Sequence, residues 1–179
     1  DNTKLIFNTP IRRGDVSDKE NSLYRPLTKL IFNIQWNSFD GNPHHFHKMN
    51  VIFYGILCML IFWVLYDLFN KKWVLPFLIT LLFTVHPIHT EVVANIKSLD
   101  EILAMIGIVA AMRGIQLYLR NGKAVHLVWG TLIYGLGLFS KESAVVGMGI
   151  FPFLVYFQEG KLDIKKLLVS CAPLLVVAI

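Results

Sequence analysis

The sequence predicts an all-α, polytopic transmembrane bundle, and three observations point to it. Only 16% of the 179 residues are charged while 55% are apolar, against roughly a quarter charged in a soluble domain. Mean hydropathy is +0.55, and the apolar residues come in long blocks. The charges gather in the joints between blocks and change character from one joint to the next. The same figures exclude disordered, collagen-like and disulfide-stapled chains. In a soluble protein, 17 Lys and Arg against 12 Asp and Glu would suggest nucleic acid. Here membrane topology accounts for the excess, so no nucleic-acid partner is expected.

Residues 1–48 are polar and mixed, and residues 49–179 carry the bundle. Met49 to Phe69 holds one charge, Asp67, and as a helix it reaches across a hydrocarbon core of about 30 Å. Further apolar blocks run from Trp73 to Val85, Ile102 to Leu119, Ala124 to Phe139, Ala144 to Phe157, and onward from Leu167. About six spans are therefore expected, several of them so short that their polar joints must dip into the membrane. The chain opens without Met or a signal-peptide pattern and stops inside an apolar run. We expect it to be the middle of a longer protein, truncated at both ends. Cys58 and Cys171 each lie in an apolar block and are read as packing residues.

The joints set the orientation. Asn70-Lys71-Lys72, Arg120 to Lys123 and Gln158 to Lys166 are basic, whereas His86 to Glu101 and Ser140 to Ser143 carry one Lys each with acids alongside. Basic joints stay cytoplasmic. Residues 1–48 and the two mixed joints then share the outer side, periplasmic or lumenal, of a bacterial inner membrane or the endoplasmic reticulum. In the first segment, Leu23, Leu27, Leu30, Ile31 and Ile34 recur at helical spacing after Ser22, with Arg25, Lys29 and Asn33 opposite. That pattern predicts a short amphipathic helix in the outer interface, or else a loop helix packed on the other spans.

Several polar groups on that side need a reason. His86 and His89 of HPIHTE share a helix face while Glu91 is displaced, and Pro87 interrupts the run. These three either line an outer cavity, or cap the turn, or hold a divalent metal. His44, His45, His47 and Lys48 suit lipid headgroups. Asp100 and Glu101 suit a first helical turn, where the dipole favours carboxylates. Lys141 and Glu142 sit in a tight joint at membrane depth, where ionisable groups are costly and often functional. Arg25 is either a solvated charge or a bidentate phosphate binder. Several cations and imidazoles over a hydrophobic bundle fit an amphiphile with an anionic head. No Walker loop or GxGxxG is present.

YRPLTKLIFNIQW, NPHHFHKMNVIFYGILCMLIFWVL, LLFTVHPIHTEVVANIKSLDEILA and LGLFSKESAVV follow one another along the chain. From about residue 20 to residue 145 they resemble, as a set, the membrane part of the GT-C glycosyltransferases. The nearest likeness is to the O-mannosyltransferases that carry tetratricopeptide repeats and to their bacterial relatives. The resemblance implies a GT-C-type bundle and an inverting enzyme that moves a mannose-like sugar from a polyprenyl-phosphate donor to an outer-face acceptor, most readily protein hydroxyls. It implies a carboxylate base in the first outer loop, from an acidic pair expected upstream of Asp1. Asp15, Asp18 and Glu20 share that loop but match no motif, so the catalytic residue is unknown. By motif, Arg25 and Lys141 are expected on the donor phosphate, and His86, His89, Glu91, Asp100 and Glu142 on the sugar or acceptor. No metal ligand is assigned, although some relatives use a divalent metal. Expected partners are the lipid-linked donor, membrane lipid, a protein acceptor and a larger membrane assembly. The alternative is a non-catalytic membrane scaffold or lipid-binding subunit of such an assembly. A transporter is disfavoured, because the polar residues gather at one face and not at mid-bilayer.

Overall fold

The computed structural model describes residues 25–161 and 163–178, and every described element is helical. Asp15, Asp18, Glu20, Ser22 and Leu23, invoked above, lie outside the described residues. Helix α1 (Pro26–Phe39) opens on a proline, whose missing N–H costs nothing in a first turn. It packs through Pro26, Thr28 and Gln35, all buried, and leaves Ile34 and Trp36 exposed. The side chains expected opposite the apolar stripe thus face the bundle, and the far end of the stripe faces out.

Asn42 caps helix α2 (Pro43–Leu68), its side chain accepting from the His44 N–H at 3.0 Å. The helix begins at Pro43 and not at Met49, so His44 to Lys48 are its first turns and the 48/49 boundary falls inside an element. Helix α3 (Val74–Val85) breaks from the short α4 (Ile88–Ala94) at a 65° bend. Pro87 explains the break. A residue before proline is pushed out of the helical region, and His86 is extended at φ −63 and ψ 128. A 3₁₀ turn (Ile96–Ser98) leads into α5 (Leu99–Asn121). Then come α6 (Val125–Ser140), a 3₁₀ segment (Glu142–Val146), α7 (Gly147–Glu159) and α8 (Ile164–Ala178).

Helix α5 is the axis of the bundle, buried along most of its length. Its closest neighbour, α6, runs back along it on a seam of glycines. A Cβ on Gly107 would stand 2.8 Å from the Gly137 Cα, and one on Gly114 would stand 2.6 Å from the His126 carbonyl oxygen. Small residues let two backbones approach this closely, which is how helices associate where lipid offers no hydrophobic drive. On the other side of α5, Leu57 and Val64 of α2 pack against Ile102 and Val109. Tyr134, Phe151 and Leu174 close the core among α6, α7 and α8.

The outward faces are apolar. Val51, Ile52, Met59 and Trp63 on α2, Leu78 and Leu82 on α3, and Leu132 and Phe139 on α6 are all exposed. Such a belt suits lipid, and the chain is an all-helical integral membrane protein. The expected six spans are not what the helix lengths give. Among the described residues two helices, Pro43–Leu68 and Ile96–Asn121, are long and apolar enough to cross, and a third crossing is added if the bent pair Val74–Val85 and Ile88–Ala94 counts as one. The shortfall has a physical origin: α6, α7 and α8, of 16, 13 and 15 residues, are each shorter than the roughly 20 that a perpendicular crossing takes.

Candidate functional site

Two ends of the bundle carry the charges. At one end the start of α5, the α6–α7 joint and the start of α1 meet. Arg25 is buried there and bonds two carboxylates from distant parts of the chain. It pairs with Asp100 of α5. It also grips Glu142 with a fork, Nη2 to Oε1 at 2.8 Å and Nε to Oε2 at 3.3 Å, the planar geometry that distinguishes Arg from Lys. Asp100 further accepts from the Glu101 N–H at 2.8 Å, at the positive end of α5. Thr28 donates to the Ser140 carbonyl oxygen at 3.3 Å, so α1 is tied to the same joint twice.

These contacts set the ionisation. The bond from Glu142, and behind it the charge of Asp100, hold the Arg25 guanidinium above its ordinary value against the cost of burial. In return Arg25 holds the Glu142 carboxyl below the usual carboxylate range. One turn along α1, the Lys29 ammonium is buried without a partner among the described residues, and burial pushes it down.

Beside the fork, Lys141 pairs with Glu101. Glu101 stands on the rim of a cavity of about 400 Å³ between α2, α5 and α7, walled by Leu57, Ile102, Met105, Ile108 and Ile150. A second cavity of about 470 Å³ lies against it, lined by His47, His86, His89, Thr84 and Thr90. Tyr54 and His89 border both. His89 is fixed on the Phe83 ring, centroids 4.2 Å apart.

The expected residues therefore fall into three places. Arg25, Asp100, Glu142 and Lys141 meet in one network, with Arg25 and Lys141 each already engaged by carboxylates. His86 and His89 share the imidazole-lined cavity. Glu91 is exposed and lines neither cavity. His86 and His89 stand 5.9 Å apart by ring centroid, and among the described residues no three His, Cys, Asp or Glu side chains converge on a point. No step through a metal is derived.

Sequence reasoning gave His47 to lipid headgroups and Glu101 to a first helical turn. The structure sets His47 in the cavity with His86 and His89 and pairs Glu101 with Lys141. The first was open to a phase argument, since His47, Asn50 and Tyr54 recur at helical spacing. Asn50 is buried with its amide on the Asn95 carbonyl oxygen at 3.0 Å, and Tyr54 borders both cavities. The second had no local signal, because 40 residues separate the partners.

The opposite end holds a second network. Asp67, nearly inaccessible, pairs with Arg113 and accepts from Arg120 at 2.8 Å, while the buried Gln116 donates to the Val64 carbonyl oxygen at 2.9 Å. The sequence placed Asp67 as the one charge of the Met49 to Phe69 block. The structure joins it to Arg113 and Arg120 in one ion-pair cluster.

The chain is similar to several protein O-mannosyl-transferases. It is 32% identical to TMTC1 of Mus musculus over 112 residues, covering 63% of this chain and 12% of that protein. It is 30% identical to TMTC3 of Homo sapiens over 167 residues, covering 84% of this chain and 18% of that protein. With TMTC4 of Mus musculus it shares 30% identity over 169 residues, covering 83% and 23%. The chain thus spans less than a quarter of the length of each of these relatives. No protein-family model matches the chain, and no solved structure matches it.

Proposed function

We propose that this chain is the donor-binding part of a membrane glycosyltransferase of GT-C type, which moves mannose from a polyprenyl-phosphate carrier to protein hydroxyls. The names of its relatives support the reaction class. The observation that carries the donor assignment is the apolar slot of about 400 Å³ with Glu101 on its rim and Lys141 paired to Glu101. An isoprenoid tail leaves lipid for such a slot at little cost, because its walls are as apolar as the lipid. The charged rim then fixes the headgroup.

With the tail in place the phosphate reaches Lys141, whose ammonium exchanges the Glu101 carboxylate for phosphate oxygens. Transfer forms the bond from the acceptor hydroxyl oxygen to the sugar C1 and breaks the bond from C1 to the phosphate oxygen. Polyprenyl phosphate leaves with one more negative charge, and a cation held ready at that place lowers the barrier. We assign Arg25 to positioning and not to the phosphate, since two carboxylates already satisfy its guanidinium. It fixes the joint from which Lys141 projects. Glu142, held below the usual carboxylate range by that arginine, is a weak base, and Asp100 is engaged by the same guanidinium, so the base that takes the acceptor proton is assigned to no described residue. His86, His89 and His47 are assigned to the sugar or acceptor in the adjoining cavity, with Glu91 outside it.

We place this end of the bundle on the lumenal side of the endoplasmic reticulum membrane, because the basic joints lie at the other end. Helices α6 and α7, about 24 and 20 Å long, complete the crossings with α8, their polar joints standing in the headgroup layer.

The test is transfer from radiolabelled polyprenyl-phosphate mannose to a mixed protein acceptor by the intact protein in detergent. Lys141→Ala is expected to lower transfer by about 100-fold, the scale of removing one charge-stabilising donor, with Lys141→Arg retaining part of it. Wild-type transfer by Lys141→Ala would overturn the donor assignment. No transfer from any lipid-linked sugar would favour a scaffold.

A further inference from the structure

At the end of the bundle away from the proposed donor site, α2, α5 and α7 stop together around a cavity of about 530 Å³, lined by Asp67, Asn70, Lys71, Arg120, Gln158 and Glu159, with Phe157 at its lip. Nothing in the transferase reading uses it. Three facts say what it takes. First, its charges are not balanced within the chain. Asp67 is answered twice, by Arg113 and Arg120, and Glu159 once, by Lys166. Lys71 has no carboxylate partner among the described residues. The excess is positive and suits a phosphate.

Second, one acceptor is left over. The Gln158 Oε1 is buried with no donor among the described residues. An amide oxygen out of contact with water is a costly group to leave unpaired, and because Gln158 lines the cavity a turn of its side chain would offer that oxygen to an N–H donor of the ligand. The helix ends agree. The C-termini of α2, α5 and α7 all point here, and their partial negative charge disfavours a plain anion while favouring an ammonium nearby.

Third, the joints at this end are basic: Lys72, Lys123 and Lys161 lie in them and Phe157 is exposed beside the cavity, the pattern of a headgroup layer. The Asn70–Lys71 turn is left-handed at both residues, φ 54 and 63, without a glycine. The Lys71 N–H donates to the Tyr66 carbonyl oxygen at 2.8 Å, which closes α2 and brings Lys71 to the cavity wall.

We propose that this cavity binds the headgroup of an aminophospholipid, with its phosphate on Lys71 and Arg120 and its ammonium on the Gln158 Oε1. The proposal rests on the membrane reading but not on the transferase one, and it holds whichever way round the bundle sits, since only the leaflet changes.

Native mass spectrometry of the intact protein, released from mixed-lipid nanodiscs, tests it. Phosphatidylethanolamine has both groups, phosphatidylcholine lacks the N–H donors, and phosphatidylglycerol lacks the ammonium. Phosphatidylethanolamine should be retained about tenfold better than either, the worth of one charge-assisted hydrogen bond. Lys71→Ala should abolish retention and Lys71→Arg keep it, while Gln158→Leu should erase the preference over phosphatidylcholine. Mannose transfer by Lys71→Ala should stay at the wild-type level, which separates this site from the donor site. Equal retention of the three lipids, or unchanged retention in Lys71→Ala, would overturn the proposal. So would inorganic phosphate at millimolar concentration displacing the lipid, because the ligand would then be the free anion.

Discussion

Arg25 shows how a single side chain can join three segments. Its guanidinium holds the start of α1, the first turn of α5 and the α6–α7 joint together through Asp100 and Glu142. Removing it leaves Asp100 as a buried charge without a partner, which typically costs about 3–5 kcal/mol. Arg25→Ala should therefore lower the unfolding midpoint sharply in a thermal scan, and Arg25→Lys should recover only part, because a point charge cannot make the fork to Glu142. The Glu142 pairing also has a pH signature. Its carboxyl is held below the ordinary value, so the pairing contributes above the usual carboxylate range and is lost as the pH falls through the depressed value. Glu142 is mostly exposed, so the effect is small, within about 1 kcal/mol. Between pH 7 and pH 3 wild type should lose more stability than Glu142→Gln, and parallel curves would refute the pairing. The sequence singled out Arg25, Asp100 and Glu142, but it could not join them. The three lie up to 117 residues apart, and ion pairing at that separation leaves no local trace.

The seam between α5 and α6 makes its prediction at the element scale. Gly114→Val would drive a branched side chain into the backbone at His126, where the first added carbon already stands at 2.6 Å, so the helices must part. Overpacking of this kind costs about 1–3 kcal/mol or more. Gly149→Val, with nothing within 4 Å of an added Cβ, is the control, and differential scanning should separate the two variants. The seam was visible in principle. Gly107 and Gly114, and Gly130 and Gly137, are each seven apart and so recur on one helix face. Hydropathy averaging discards that spacing because it scores glycine as neutral. The α3–α4 break was equally open to reading, from the clash between Pro87 and the residue before it. Its angle was not, because packing on α2 and α5 sets it. The amphipathic α1 was expected, yet both its sides are partly covered: Leu27, Leu30 and Ile31 are half-buried, and Arg25 and Thr28 are buried. Thr28 and Arg25 find hydrogen-bond partners there that periodicity cannot foresee.

At the scale of the whole molecule, the alternation of charge between joints carried most of the organisation. It separated the ends before any helix was placed, and the structure gathers Arg25, Lys141 and the imidazoles at one end and Asp67, Lys71 and Arg120 at the other. The number of spans was less legible, because an apolar block shows that a segment suits lipid and not that its helix, at 16, 13 or 15 residues in α6, α7 and α8, is long enough to cross. The orientation has a direct check. In sealed microsomes a membrane-impermeant maleimide should react directly with a cysteine at Asn121, on the cytoplasmic side, and should reach one at Ser98 only after permeabilisation. The reverse pattern would invert the topology. The central claim is that the slot between α2, α5 and α7 holds the lipid tail of the donor. A polyprenyl-phosphate mannose with a diazirine in its first isoprene units, irradiated on the intact protein and mapped by peptide sequencing, tests that claim most directly. Labels at Leu57, Met105, Ile108 or Ile150, lost in the presence of excess unlabelled polyprenyl phosphate, are the predicted result. Labels spread over the lipid-facing side chains of α3 and α6, such as Leu82 and Leu132, and indifferent to competition would contradict it.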